Sequence, residues 1–221
     1  MDAAAGLAAA AREGTPTRAR TRAGEANMER ILDAATEVFS AYGFHGARIG
    51  DIAEAAGMSK PNLLYYFPSK EALYSAALAQ TLEMWVVPLG EMDETQEPAA
   101  AIGAYIVRKL EASRDKPAAS RLFAMEIIQG APYLMPLLTG PLKTMVEEKI
   151  ATMRQWIAAG KLAPMDPLHF IFTIWATTQH YADFTVQVRA LTQSDLSNPA
   201  FFAAARDNLL NVLLNGILPR P

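Results

Sequence analysis

Seven polar side chains crowd one short stretch, SKPNLLYYFPSK: Ser59, Lys60, Asn62, Tyr65, Tyr66, Ser69 and Lys70. Ammonium groups, hydroxyls and a carboxamide are the groups that hydrogen-bond phosphate oxygens and base edges. The same composition also suits a solvated helix face with two aromatics in a small core, so the surrounding elements must decide. A second set lies far along the chain. Trp175 and Gln179 are four residues apart and share a helix face, and Asp183 extends that stripe. An indole beside a carboxamide suits a small flat polar ring: the amide accepts from a ring N–H and donates to the adjacent carbonyl, while the indole stacks. Ligand pockets commonly combine an apolar lining with few polar groups in this way. The alternative is Trp as core filler and Gln as a satisfied buried amide.

The elements that must position the first set are legible. Ile52, Ala53 and Ala56 form the apolar stripe of a short helix, and Gly57 is suited to end it in the left-handed conformation. Ser59 can cap a second helix, with Pro61 in its first turn, where a missing N–H costs nothing. Leu63, Leu64 and Phe67 give that helix an apolar side. Two short helices joined by a glycine-containing turn make a helix-turn-helix. Upstream, Met28, Ile31, Leu32, Ala35, Val38, Phe39 and Tyr42 predict an amphipathic helix ending at Gly43, which completes a three-helix head. Downstream, Ser69 caps a helix through Leu73, Ala77, Leu82, Trp85 and Val86, with its end at Pro88 to Gly90. That helix would join head to body.

The rest of the chain predicts helices over residues 99–114, 118–130, 142–159, 167–191 and 199–217, with Gly140-Pro141 as a stop. No segment sustains strand alternation and no fixed-period repeat occurs. The expectation is an all-α protein of about nine helices: a disordered arm over 1–24, a helix-turn-helix domain over 25–70 and a helical ligand-binding and dimerisation domain over 71–221. Phe170, Ile174, Thr177, Tyr181, Phe184 and Val188 step by four and three, a heptad-like seam. With Ile171, Trp175, Thr178 and Ala182 beside it, that helix is apolar over more than half its circumference. Phe202, Ala205, Leu209, Leu213 and Ile217 do the same for the last helix. Such helices need covering on two sides, and a partner chain can cover the second.

At 221 residues and 51% hydrophobic, the chain can bury a substantial core. No apolar run reaches the roughly 18 residues of a membrane span, the alanine-rich start lacks a leading positive charge, and the expected location is the cytoplasm. Zero cysteines exclude disulfides, thiol catalysis and thiolate metal sites. The histidines His45, His169 and His180 are scattered, so no metal constellation forms and no cofactor is expected. No nucleophile–base pair or glycine-rich phosphate loop is present, which argues against an enzyme. Net charge is −3, but residues 1–70 balance 8 basic against 8 acidic groups, so the acidic excess lies in the body. Arg18, Arg20 and Arg22 cluster ahead of the head and could add phosphate or minor-groove contacts.

The run AYGFHG, then DIAEAAGMSK, then NLLYYFPSKEAL closely resembles the DNA-binding domain of the TetR family of repressors, without a gap over residues 27–73. The resemblance implies a recognition helix from Ser59 to Tyr66. Lys60 and Asn62 would then sit near base edges, and Tyr65, Tyr66 and Lys70 on phosphates, with Ser59 and Arg48 at the same face. Two departures matter. Ala47 and Arg48 stand where the family usually has a Thr pair, and Leu64 stands where it often has Tyr. The resemblance further implies a two-fold homodimer through the last two helices, set on double-stranded operator DNA.

Four body segments, SKEALY, SRLFAMEIIQGAP, GKLAPMDPLHFIF and IWATTQHYADFTVQV, are similar to the pyrimidine-responsive branch of that family. This implies uracil, and also thymine, as small-molecule effector of a repressor of pyrimidine degradation. Trp175 and Gln179 would bind it. Because a Gln amide can flip to pair with cytosine, a fixed donor or acceptor must assist, and Tyr74, Gln129 and His180 are the candidates. The alternative is a regulator of the same family sensing a lipophilic drug or acyl compound.

Overall fold

The computed structural model describes residues 22–218, and these form ten helices with no strand among them. Arg18, Arg20 and most of the expected arm lie outside the described residues. Arg22 is exposed and already helical, so helix begins before residue 25.

Helix α1 runs Arg22–Gly46 and buries Ile31, Leu32, Ala35 and Phe39, the expected apolar stripe. Gly43 interrupts it at φ 68°, a left-handed conformation that a side chain would strain. The turn sends Phe44 inward. Helix α2 (Ile49–Ala55) buries Ile52 and Ala53. Helix α3 (Lys60–Tyr66) follows Gly57, at φ 64°, and the Ser59 hydroxyl accepts from the Asn62 N–H. Leu63 of α3 is fully buried on α1 and α2's side of the head core.

Helix α4 (Lys70–Gly90) is capped by Ser69, whose hydroxyl accepts from Ala72 N–H at 3.1 Å. It continues through Pro88 to Gly90, with Lys149 Nζ donating to the Gly90 and Met92 carbonyls at 3.0 and 2.9 Å. A cation on the last carbonyls complements the helix dipole. The body adds α5 (Pro98–Asp115) and α6 (Pro117–Ile128). Next comes α7, which is Met135–Leu137, a π-helical stretch Leu138–Leu142 and Lys143–Ala158 in one run. The expected stop at Gly140-Pro141 is therefore absent. The wider π turn takes in the proline, and the Thr144 hydroxyl caps the Gly140 carbonyl at 3.3 Å.

The long helix expected over 167–191 is two: α8 (Pro167–Asp183) and α9 (Thr185–Thr192), broken at Phe184 with φ −111° and ψ 32°. The Thr185 hydroxyl bonds the Tyr181 and Ala182 carbonyls across it, each at 2.8 Å. Helix α10 (Pro199–Asn215) ends the described fold. No described helix is long and apolar enough to cross a membrane.

Helix α1 packs on α6 and α4 as well as on α2, and α8 packs on α5, α6 and α7. One apolar core runs without a break from Ile31 and Leu63 through Leu73 and Leu82 to Ile171 and Leu209. Of the expected seam, Phe170, Ile174 and Val188 are buried within the chain itself, Thr177 and Tyr181 are half-buried and Phe184 is exposed, as are Phe172 on α8 and Val212 on α10. A helix apolar over most of its girth does not reveal by period alone which stripe faces its own core.

Candidate functional site

On the head, α3 stands outward on its polar side. Lys60 and Asn62 are exposed, Tyr65 is half exposed, and its ring packs edge-on to Tyr66 at 5.4 Å. Arg48 is exposed at the N-cap of α2, where its side chain makes no capping bond. Two residues are more committed than their type suggests. The Tyr66 hydroxyl accepts from Asn27 Nδ2 at 3.0 Å, tying α3 to α1. Lys70 Nζ donates to the His45 carbonyl at 3.4 Å and lies 4.8 Å from the Phe44 ring centre. Both keep capacity for a phosphate, since a phenol can still donate and an ammonium has three donors.

In the body, α5 and α8 meet through paired polar rungs. Tyr105 and Lys109 are one turn apart on α5, and Trp175 and Gln179 are one turn apart on α8. Trp175 Nε1 donates to the Tyr105 hydroxyl at 2.6 Å, and Lys109 Nζ donates to Gln179 Oε1 at 3.1 Å. Lys109 is 2% exposed, and its Nζ lies 4.2 Å from the Trp85 ring centre. One turn past Gln179, Asp183 accepts from the Ser120 hydroxyl of α6 at 2.5 Å.

The charges of this cluster are unusual. Burial pulls the Lys109 ammonium down to about 7, with the Asp183 carboxylate opposing the shift. Burial pushes Asp183 up, against the hydrogen bond from Ser120 and the attraction of Lys109. A buried ammonium is costly unless fully paired. Lys109 has one amide acceptor and one ring face for its three donors. Nearby, Trp85 Nε1 and Ser113 Oγ are buried and form no hydrogen bond. Together these make a wall rich in donors beside the Trp85 and Trp175 indoles. Its chemistry matches carbonyl oxygens on a flat ring.

Of the five residues expected at the effector, Trp175 and Gln179 share this wall, and the other three stand elsewhere. Tyr74 is buried in the first turn of α4, near the head, and its hydroxyl donates to Glu126 Oε2 at 3.0 Å. It lies three turns of helix before Trp85. Gln129 is exposed at the C-terminal cap of α6. His180 is exposed and stacks on Phe184 with ring centres 5.1 Å apart. One residue beyond Gln179 is a rotation of about 100° around a helix, which turns it out of the wall. Lys109, Tyr105, Trp85 and Ser113 were not among the expected residues. Their sequence signal is a lysine and a serine on the buried stripe of α5.

Two family descriptions match the chain: "Bacterial regulatory proteins, tetR family" over residues 31–77 and "YcdC-like protein, C-terminal region" over residues 78–220. The HTH-type transcriptional regulator RutR of Escherichia coli (strain K12) is 54% identical over 201 residues, covering 91% of this chain and 95% of that protein. The regulator UidR of the same strain is 28% identical over 195 residues, 86% of this chain and 91% of its own length. Among solved structures, the transcriptional regulator SCO4942 from Streptomyces coelicolor superposes with a TM-score of 0.67 at 26% identity, covering 87% of this chain and 98% of that one. The ketosteroid regulator KstR2 of Mycobacterium tuberculosis shares the fold, with a TM-score of 0.65 at 19% identity over 91% of this chain and 97% of its own.

Proposed function

Because the chain belongs to the TetR family of bacterial regulatory proteins, we propose that it is a pyrimidine-responsive repressor that releases operator DNA when uracil or thymine enters the α5–α8 wall. The observation that carries this reading is the buried Lys109 ammonium bonded to Gln179. The Gln179 amide can complement a ring N–H and its neighbouring carbonyl in either of two flipped states. Lys109 removes that ambiguity, because an ammonium donates and never accepts. It favours the carbonyl of uracil and disfavours the amino group of cytosine. The Trp85 and Trp175 faces supply stacking for a flat ring. A buried cation also argues against a purely lipophilic effector. Similarity to RutR over nine-tenths of the chain supports the same reading.

On DNA, α3 enters the major groove with Lys60 and Asn62 toward base edges. Arg48, Tyr65, Tyr66 and Lys70 hold the backbone, and Ser59 keeps the helix start in place. The exposed apolar groups Phe172, Phe184 and Val212 on the α8–α10 side suit a two-fold partner. Such a dimer sets its recognition helices about 34 Å apart on successive grooves. Release is a shift between two dimer spacings. Moving from 1:99 to 99:1 needs about 10⁴-fold differential binding, or about 10²-fold at each of two sites. A thermal-shift panel of uracil, thymine, cytosine and a long-chain acyl compound tests the effector. Stabilisation by uracil or thymine alone is expected, and stabilisation by the acyl compound alone would sink the reading.

A further inference from the structure

Glu126 on α6 is 1% exposed and faces no cation, yet it is fully employed. Its Oε2 accepts from the Tyr74 hydroxyl of α4 at 3.0 Å. Its Oε1 accepts from the backbone N–H groups of Tyr133 and Leu134 at 2.7 and 3.2 Å. The segment between is held in a tight reversal, with Gly130 at φ 92° and Ala131 at φ 55°. A buried carboxylate is an expensive adhesive where an apolar side chain would serve. Three donors from two separate elements make it a joint whose geometry is fixed on every side.

Both ends of that joint lead somewhere. Toward the head, the Tyr74 and Tyr133 rings flank Phe44 at 5.0 and 4.9 Å, and Lys70 Nζ lies over the Phe44 ring, 4.8 Å from its centre. Toward the body, α6 bears Phe123, edge-on to Trp85 at 4.8 Å, and Ser120, bonded to Asp183. Ser120 to Glu126 spans about 9 Å of one helix. The effector wall and the DNA-facing turn therefore meet through α6.

We propose that Glu126 is the positioning residue that carries effector occupancy to the head, by clamping α6, α4 and the 133–134 backbone into one arrangement. This rests on the reading of the body as a pyrimidine sensor. Glu126→Gln tests it, because an amide offers one acceptor oxygen and turns an NH₂ toward donors. Tyr74→Phe is the second variant, since it removes one hydroxyl and keeps the ring packing should Glu126→Gln fold poorly.

Operator affinity is measured by anisotropy with and without uracil, and uracil affinity by calorimetry on the DNA-free protein. Both variants should keep operator affinity without effector, and uracil affinity, within about threefold. The uracil-induced drop in operator affinity should shrink at least about tenfold, a typical allosteric coupling. An unchanged drop in both variants overturns the proposal, as does a loss matched by equal loss of uracil binding. If uracil does not release the wild-type protein, the effector reading fails, and the clamp is tested without effector. Operator DNA should then alter hydrogen exchange across residues 126–135 in the wild type and not in Tyr74→Phe, and no alteration in the wild type overturns it.

Discussion

Lys109 Nζ and Gln179 Oε1 lie 3.1 Å apart, and that bond joins α5 to α8 between a buried lysine and a half-buried amide. In the proposed function the two partners have distinct jobs: the amide would set the pattern of donors and acceptors, and the ammonium would fix its orientation.

Removing either partner should separate sensing from DNA binding. Gln179→Ala leaves Lys109 without its amide acceptor and should cost about 1–3 kcal/mol of stability. Lys109→Met removes a buried charge for a side chain of similar length and should be neutral or stabilising. Both should abolish release by uracil and leave operator affinity intact. Calorimetry, thermal melts and anisotropy report the three effects. Unfolding of Gln179→Ala would mean the amide is core scaffolding.

The Lys109 ammonium is lowered to about 7. Uracil affinity should therefore be level below pH 7 and fall up to about tenfold per unit above it, as the ammonium gives way to a neutral amine that donates less strongly and can accept. Stability moves the other way. In the unfolded chain the group titrates near 10.4, so between about 7 and 10.4 the unfolded state binds more protons and Lys109 costs the fold less as pH rises. Calorimetry from pH 6 to 8.5 and chemical melts from pH 6 to 9.5 on wild type and Lys109→Met check both signs. A flat profile in the wild type contradicts the burial argument.

Contacts of α3 and its flanks should sort by kind. Asn62→Ala should cost about 1–3 kcal/mol and relax preference at one base pair. Lys70→Ala should weaken all sequences alike and lessen the salt slope by about one. Ser59→Ala removes a cap and should lower stability by about 0.5–2 kcal/mol. A selection of binding sites read beside salt titrations distinguishes these patterns.

The outward side of α8 should hold the partner. Ala176 is exposed between Phe172 and His180 on that side. Ala176→Arg should yield monomers by sedimentation and weaken operator binding at least about 100-fold, because two half-sites no longer act together. Dimers of unchanged stability would move the interface elsewhere.

Much of the head was legible because its signals are local. Gly57, Ser59 and Pro61 each act on their immediate neighbours, and the turn, cap and first helical turn fall where they indicate. Ser69 does the same for α4. The proposed effector wall was half legible. Trp175 and Gln179 share a helix and so show their relation in spacing. Lys109 and Trp85 come from other helices, and only packing reveals them. A lysine between Ile106 and Leu110 on the buried stripe of α5 was the available clue. Tyr74, Gln129 and His180 lie apart from Trp175 and Gln179 because residue type alone says nothing about which end of a helix, or which side, a residue occupies. The break at Phe184 was hidden because Thr185 makes the same kind of carbonyl bonds as Thr177 and Thr178, which leave α8 unbroken.

The cluster of Phe39, Phe44, Tyr74 and Tyr133 bears on how such regulators can be rebuilt. A chimera that grafts this head onto a foreign sensor at residue 70 would divide four interlocked rings between unrelated parents. Phe39 and Phe44 would travel with one fragment, and Tyr74 and Tyr133 would stay with the other. A workable graft must move Tyr74, Glu126 and Tyr133 as a set with the head, or choose a donor body that already carries them.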